Sequence, residues 1–320
     1  MTALPPKLPP TLPLVAAVGA IGVLTGSLIA SKYLLDGIVG FGWPVAVYVA
    51  VLGVVGYVPS LWWCRHASRR WGTGDLGVDI GLTLRFADLG WGPVIWLGAI
   101  AAQIAVGAVI VAFGVPLVGN TEGIEEISAD RTYVVSLVIT AVIAAPIVEE
   151  MVFRGVVMRG LRSRLPMVVV IVLQGLLFGA AHIDPVRGVG NIGLVLVLAG
   201  VGVAFGVAVA LLGRIGPSMV AHALFNGAVL LVVLTGVVDR LNDASTSGGE
   251  QIGVVDQSDV AESGGHGEAD PSRTALVDVQ PVDRDQGVGV EERHVLAVGE
   301  CFGVEGAGRR LDHVGDARPV

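Results

Sequence analysis

Glu149-Glu150-Met151-Val152-Phe153-Arg154 closes an apolar run that begins at Tyr133. By composition the run from Tyr133 to Val148 is a membrane helix. Two carboxylates and a guanidinium at its end are expensive there. A charged residue at a helix centre costs about 2.5–3.5 kcal/mol, while each Leu, Ile or Val returns only about 0.3–0.6. The valines, isoleucines and leucine upstream offset roughly one such charge, not three. The stretch therefore predicts a helix wrapped by other helices, with partners for its charges and a wet cavity beside it. An ionisable cluster at membrane depth is a functional-site hypothesis from the outset.

The rest of the chain supplies that surrounding. Of its 320 residues 53% are hydrophobic and only 15% charged, which excludes an ordinary soluble domain and points to an all-α, polytopic membrane bundle. Seven spans are expected, at about Leu12–Ser31, Phe41–Trp63, Gly92–Val118, Thr132 onward, Met167–Ile183, Asn191–Leu212 and Pro217–Val238. The first is read as an uncleaved helix, since a signal peptide would have a shorter apolar core ending at a small-residue site. Between the second and third, Leu76, Ile80, Leu84 and Phe86 are spaced like an amphipathic interfacial segment. Trp71, Trp91 and Trp96 suit an interfacial aromatic belt.

Charge divides the chain into unequal parts. The formal net charge of −8 belongs to the tail: from Asp243 onward there are 16 acids and 6 bases, against 12 acids and 14 bases before it. This distribution gives no reason to expect nucleic acid as a partner. The expected organisation is a flexible N-terminus over 1–10, a transmembrane domain over 11–241 and a largely disordered Gly-rich acidic tail over 242–320. Lys7, Arg65, Arg69, Arg70, Arg85, Arg159, Arg162, Arg164 and Arg214 fall on one side of a seven-span topology. The positive-inside rule makes that side, and the N-terminus, cytoplasmic, with the plasma membrane as the expected location. Cys64 and Cys301 form neither a disulfide framework nor a thiolate metal motif.

The partners of the charged cluster emerge from spacing. Glu149 lies 17 positions before Pro166 and His182 lies 16 after it. At a rise of ~1.5 Å per residue each stands roughly 25 Å from the turn, so antiparallel neighbours bring them to one depth. Gly175 and Gly179 form a G-x-x-x-G pair that lets another backbone approach. His222 and Asn226, four apart, share one helix face, as do Glu150 and Arg154. Glu149 points about 100° away from Glu150. Glu150 is then expected to neutralise Arg154, leaving Glu149 free to face the histidines. Pro146 removes a helix bond and is expected to kink the helix just before the pair.

Such a set can activate water. A desolvated glutamate is a general base, a histidine relays the proton, and a second histidine and an amide stabilise an oxyanion. Alternatively, a divalent metal such as zinc between Glu149, His182 and His222 acts as a Lewis acid.

These residues carry a resemblance. E-E-x-x-x-R (Glu149, Glu150, Arg154), F-x-x-x-H (Phe178, His182) and H-x-x-x-N (His222, Asn226) resemble, in order and approximate spacing, the motifs of the CPBP family. That family comprises CAAX prenyl endopeptidases and bacteriocin-processing enzymes, also called Abi proteins. The similarity lies within 132–238. It implies an intramembrane, all-helical endopeptidase in which Glu149 and His182 activate water. His222 and Asn226 then stabilise the oxyanion, or His222 is a metal ligand, with Glu150 and Arg154 in support. The family is described both as metalloprotease and as a metal-free, glutamate-type hydrolase. The expected partners are a peptide or membrane-protein substrate and the bilayer. Two other functions compete: a non-enzymatic scaffold or bacteriocin-immunity protein that keeps the motif for folding, and a proton-coupled transporter using Glu149 and the histidines as a relay.

Overall fold

The computed structural model describes residues 12–117, 131–183 and 191–237. The acidic tail and the first residues of the chain lie outside them. Among the described residues the structure is helical and contains no strand. The helices are α1 (Leu14–Ile38), α2 (Val45–Trp71), a single-turn α3 (Leu76–Ile80), α4 (Asp88–Ala112), α5 (Arg131–Arg162), α6 (Met167–Ala180), α7 (Ile192–Leu212) and α8 (Gly216–Thr235). Six of them are long and apolar enough to cross a membrane.

The fifth expected span is the exception. α6 has 14 residues, about 21 Å at ~1.5 Å per residue, against a hydrocarbon core of about 30 Å. It starts cleanly after Pro166, whose extended backbone cannot continue the preceding turn. Its end tightens: the amides of His182 and Ile183 reach back only three residues, to Gly179 and Ala180. The helix gives out before Pro185, which has no amide hydrogen and disfavours helical backbone in the residue ahead of it. His182 therefore sits in a turn just past the helix, not inside a full span.

α5 is the axis of the bundle. It touches α1, α2, α3, α6, α7 and α8. Every residue from Glu150 to Gly160 is buried, which meets the demand that charges at this depth be wrapped. Val148, Val152, Phe153, Val156 and Val157 form one core with Ala16, Ala20 and Leu24 of α1, Cys64 and Ala67 of α2, and Phe178 of α6. The α1–α2 pair is set by Gly19, on which the Trp63 ring lies, and by the indole of Trp63 donating to the Ala16 carbonyl at 3.0 Å.

The G-x-x-x-G pair works as expected, and its neighbour is α7. A methyl on Gly179 would collide with the Val195 carbonyl, and one on Gly175 would come within 2.9 Å of the Ala199 carbonyl oxygen. The connector between α2 and α4 departs from an amphipathic interfacial helix. Gly81, at φ +68°, ends α3 after five residues. Ile80 turns inward against Gly155, while Leu84 and Phe86 stay exposed. Asp79 is buried and accepts from the Ser68 hydroxyl at 2.6 Å and from the amides of Thr73 and Gly74. Burial pushes its carboxyl up, but the hydrogen bonds from Ser68, Thr73 and Gly74 outweigh burial and hold it below the usual carboxylate range. Asp88 pairs with Arg214, tying the start of α4 to the turn between α7 and α8. Trp96 packs with the α4–α7–α8 core instead of joining an exposed belt.

Candidate active site

Glu150 is fully buried and holds three partners. Arg154 Nη1 lies 2.9 Å from Oε1, an ion pair whose angle departs from that of a hydrogen bond. The Ser218 hydroxyl donates to Oε2 at 2.6 Å. Nδ1 of His222 lies 3.1 Å from Oε1. The expected Glu150–Arg154 neutralisation is present, and Glu150 also contacts a histidine, which the helix-face argument had left to Glu149.

Arg154 is a strut between helices. Its guanidinium stacks on the Phe178 ring at 4.4 Å and on that of Phe205 at 5.2 Å. Nη2 donates to the Gly202 carbonyl at 3.3 Å, an acceptor shared with Gln174 at 2.8 Å. One buried cation thus joins α5, α6 and α7.

Glu149 faces the other way, as the helical period requires. Its side chain is 17% exposed, against zero for Glu150. Its Oε2 is buried, lies 3.8 Å from His222 Nε2 and has no hydrogen-bond partner among the described residues. An orphaned carboxylate oxygen beside an imidazole is costly unless something else binds there.

The histidine tautomers follow from their neighbours. Nδ1 of His182 lies 2.8 Å from the Phe178 carbonyl, which can only accept, so Nδ1 carries the hydrogen. Nδ1 of His222 faces an ion-paired carboxylate, so it also carries the hydrogen. In the neutral ring the lone pair is then on Nε2. Phe178 connects them, with ring centroids 5.0 Å from His182 and 5.6 Å from His222. No hydrogen bond or ion pair joins Glu149 directly to His182; the two meet through this histidine–phenylalanine cluster. Asn226 donates Nδ2 to the Ala141 carbonyl at 2.8 Å.

A metal would need three donors in one place. The Nδ1–H tautomers are those of metal-ligating histidines. Among the described residues, however, no three His, Cys, Asp or Glu side chains converge as a metal-holding group.

Ser218 and Phe205 did not stand out by sequence. Ser218 is four residues before His222, so its place on the same face was readable. Phe205 lies on a uniformly apolar helix with no periodicity to single it out.

No curated protein and no solved structure matches this chain. The family model described as Rce1-like, type II CAAX prenyl endopeptidase Rce1-like, matches residues 131–228, from the start of α5 into α8. Those residues carry Glu149, Glu150, Arg154, Phe178, His182, His222 and Asn226, and over them the chain is similar to the CAAX protease family.

Proposed function

We propose that the protein is an intramembrane endopeptidase in which Glu149 takes a proton from water, which then attacks a peptide carbonyl. The single observation that carries this is the buried Oε2 of Glu149, which accepts no hydrogen bond among the described residues and lies 3.8 Å from His222 Nε2. That gap is too long for a direct hydrogen bond and is suited to a bound molecule.

Glu149 serves as general base and His182 Nε2 accepts the second hydrogen of the same water, fixing its direction. As the tetrahedral intermediate collapses, the proton passes from Glu149 to the leaving amine nitrogen. His222 is held by Glu150 at Nδ1. In the protonated form, with a proton taken from solvent before the attack, it donates at Nε2 as well and stabilises the oxyanion. Because the three metal donors do not converge, no step is assigned to a metal.

The family match supports protease activity on CAAX-type substrates. The substrate we infer is a peptide segment that is lipid-modified or otherwise apolar enough to enter from the bilayer, close to its C-terminal end. From the arginine distribution we place the N-terminus in the cytoplasm. Labelling of a cysteine introduced at Lys7, in intact cells and in inverted vesicles, tests that placement.

Purified protein, a panel of quenched prenylated and unmodified peptides, and Glu149→Gln test the activity. Cleavage by the wild type and its loss in the variant is the expected result. Cleavage that survives Glu149→Gln would refute the mechanism. A chelator arm and metal content on the same sample decide whether an ion takes part. Substrate uptake in proteoliposomes without cleavage would favour transport.

A further inference from the structure

α5 contains two widened turns, Ile139–Ala144 and Glu150–Val157, in which amides bond five residues back. They flank Glu149. Where such a turn returns to ordinary helical bonding, successive amides skip one carbonyl, which is left without a donor in its own helix.

The first exit is aggravated by proline. The Ala145 amide donates to the Thr140 carbonyl. Pro146, five residues on from Ala141, has no amide hydrogen with which to continue the widened bonding. The Ala141 carbonyl is thus stranded, and Asn226 of α8 fills it with Nδ2 at 2.8 Å. The second exit shows the same pattern. The Met158 amide donates to Phe153, and ordinary helical bonding resumes from Met158, beyond the Arg154 carbonyl. Arg159 fills that vacancy with Nη1 at 2.8 Å. Each stranded carbonyl on either side of the acidic pair has received a side-chain donor.

We infer that Asn226 is a positioning residue, a clamp on the carbonyl freed beside Pro146 that fixes where Glu149 stands relative to His222. The clamp joins α8 to α5, and His222 sits one turn before Asn226 on the same face. One side chain thereby ties the helix that carries the base to the helix that carries its histidine. Without it, the Ala141 carbonyl is left unsatisfied at membrane depth, and the segment leading to Glu149 shifts to find another donor.

A double-mutant cycle with Pro146→Ala separates this role from direct donation to the reacting carbonyl. Alanine at 146 restores an amide hydrogen that continues the five-back bonding of the widened turn, so the Ala141 carbonyl regains a donor within α5. In the Pro146 background, Asn226→Ala is expected to lower kcat at least about tenfold with KM held, and to lower Tm by about 5 °C. In the Pro146→Ala background, the same change is expected to cost less than about threefold in kcat and about 1 °C in Tm. Equal losses in the two backgrounds would overturn the inference, because a donor to the reacting carbonyl is needed whatever stands at 146. The kcat arm rests on the endopeptidase reading, whereas the Tm arm does not. A wild type that cleaves nothing sinks the former reading, while coupled Tm losses still sustain the clamp and additive ones still end it.

Discussion

His222 Nδ1 lies 3.1 Å from the same Glu150 oxygen that pairs with Arg154. One buried carboxylate therefore neutralises a cation and sets the tautomer of a histidine. The second glutamate of the motif is more than a counter-ion. Its loss would free a charge and turn an imidazole at once, so stability and chemistry at this site are coupled.

Glu149→Gln should remove activity with little change in stability. The amide cannot act as a base, and the loss expected for a positioned general base is about 10²–10⁴-fold in kcat. Oε2 has no hydrogen bond to lose. Peptide cleavage and thermal unfolding on the same preparation check both halves. A large drop in Tm would mean that Glu149 is a packing residue.

Removing Glu150 should act in the opposite sense. Glu150→Gln leaves Arg154 buried without its counter-ion, a change that typically costs about 3–5 kcal/mol. The double change Glu150→Gln with Arg154→Met removes both charges and should recover part of that loss. Thermal unfolding in detergent gives the comparison. If the double variant melts no higher than Glu150→Gln, the pair is not the source of the penalty.

Ser218→Ala deletes the 2.6 Å donor to Glu150 Oε2. A buried hydrogen bond to a charged group contributes about 1.5–3 kcal/mol. A fall in Tm of several degrees is expected, with a several-fold loss in kcat transmitted through His222. Ser218→Cys, a weaker donor of similar size, should fall between alanine and wild type.

Gly179→Ala should separate α6 from α7. The added methyl meets the Val195 carbonyl and lies 2.8 Å from the Ala199 amide nitrogen, both backbone atoms that cannot step aside. Overpacking of this kind costs about 1–3 kcal/mol. Gly22→Ala, where nothing stands within 4 Å, is the control and should be silent. Equal melting temperatures for the two variants would contradict the close approach of α6 and α7.

Asp79 should give the fold an acid limb. Its folded carboxyl sits below the usual range because Ser68 and the amides of Thr73 and Gly74 donate to the charged form against the opposing effect of burial. A depressed folded value stabilises the protein above the unfolded pKa of about 3.9, and that contribution is lost as pH falls through the folded value. Asp79→Asn should lower Tm at neutral pH and flatten its decline below about pH 4. Identical acid limbs for wild type and variant would remove Asp79 as the cause.

Much of the site was legible because helices obey a fixed period. The separate facing of Glu149 and Glu150, the Glu150–Arg154 pair and the shared face of His222 and Asn226 all follow from ~3.6 residues per turn. The depth argument that pairs Glu149 with His182 assumes two regular helices of full length. It led to adjacent elements without a direct contact, because α6 stops at Ala180 and α5 contains two widened turns. Arg159 read as part of a basic turn, yet it is buried and donates to carbonyls of its own helix.

The amino-acid order alone determined that this chain is a helical membrane bundle and which polar residues must be gathered in it. Hydropathy and the cost of charge in lipid are local properties, readable one segment at a time. Only the tertiary structure decided that Glu150 grips His222, that Phe205 and Phe178 enclose Arg154, and that Asn226 reaches the Ala141 carbonyl. Those choices depend on which donor stands opposite each stranded acceptor, and that is settled between helices distant in sequence.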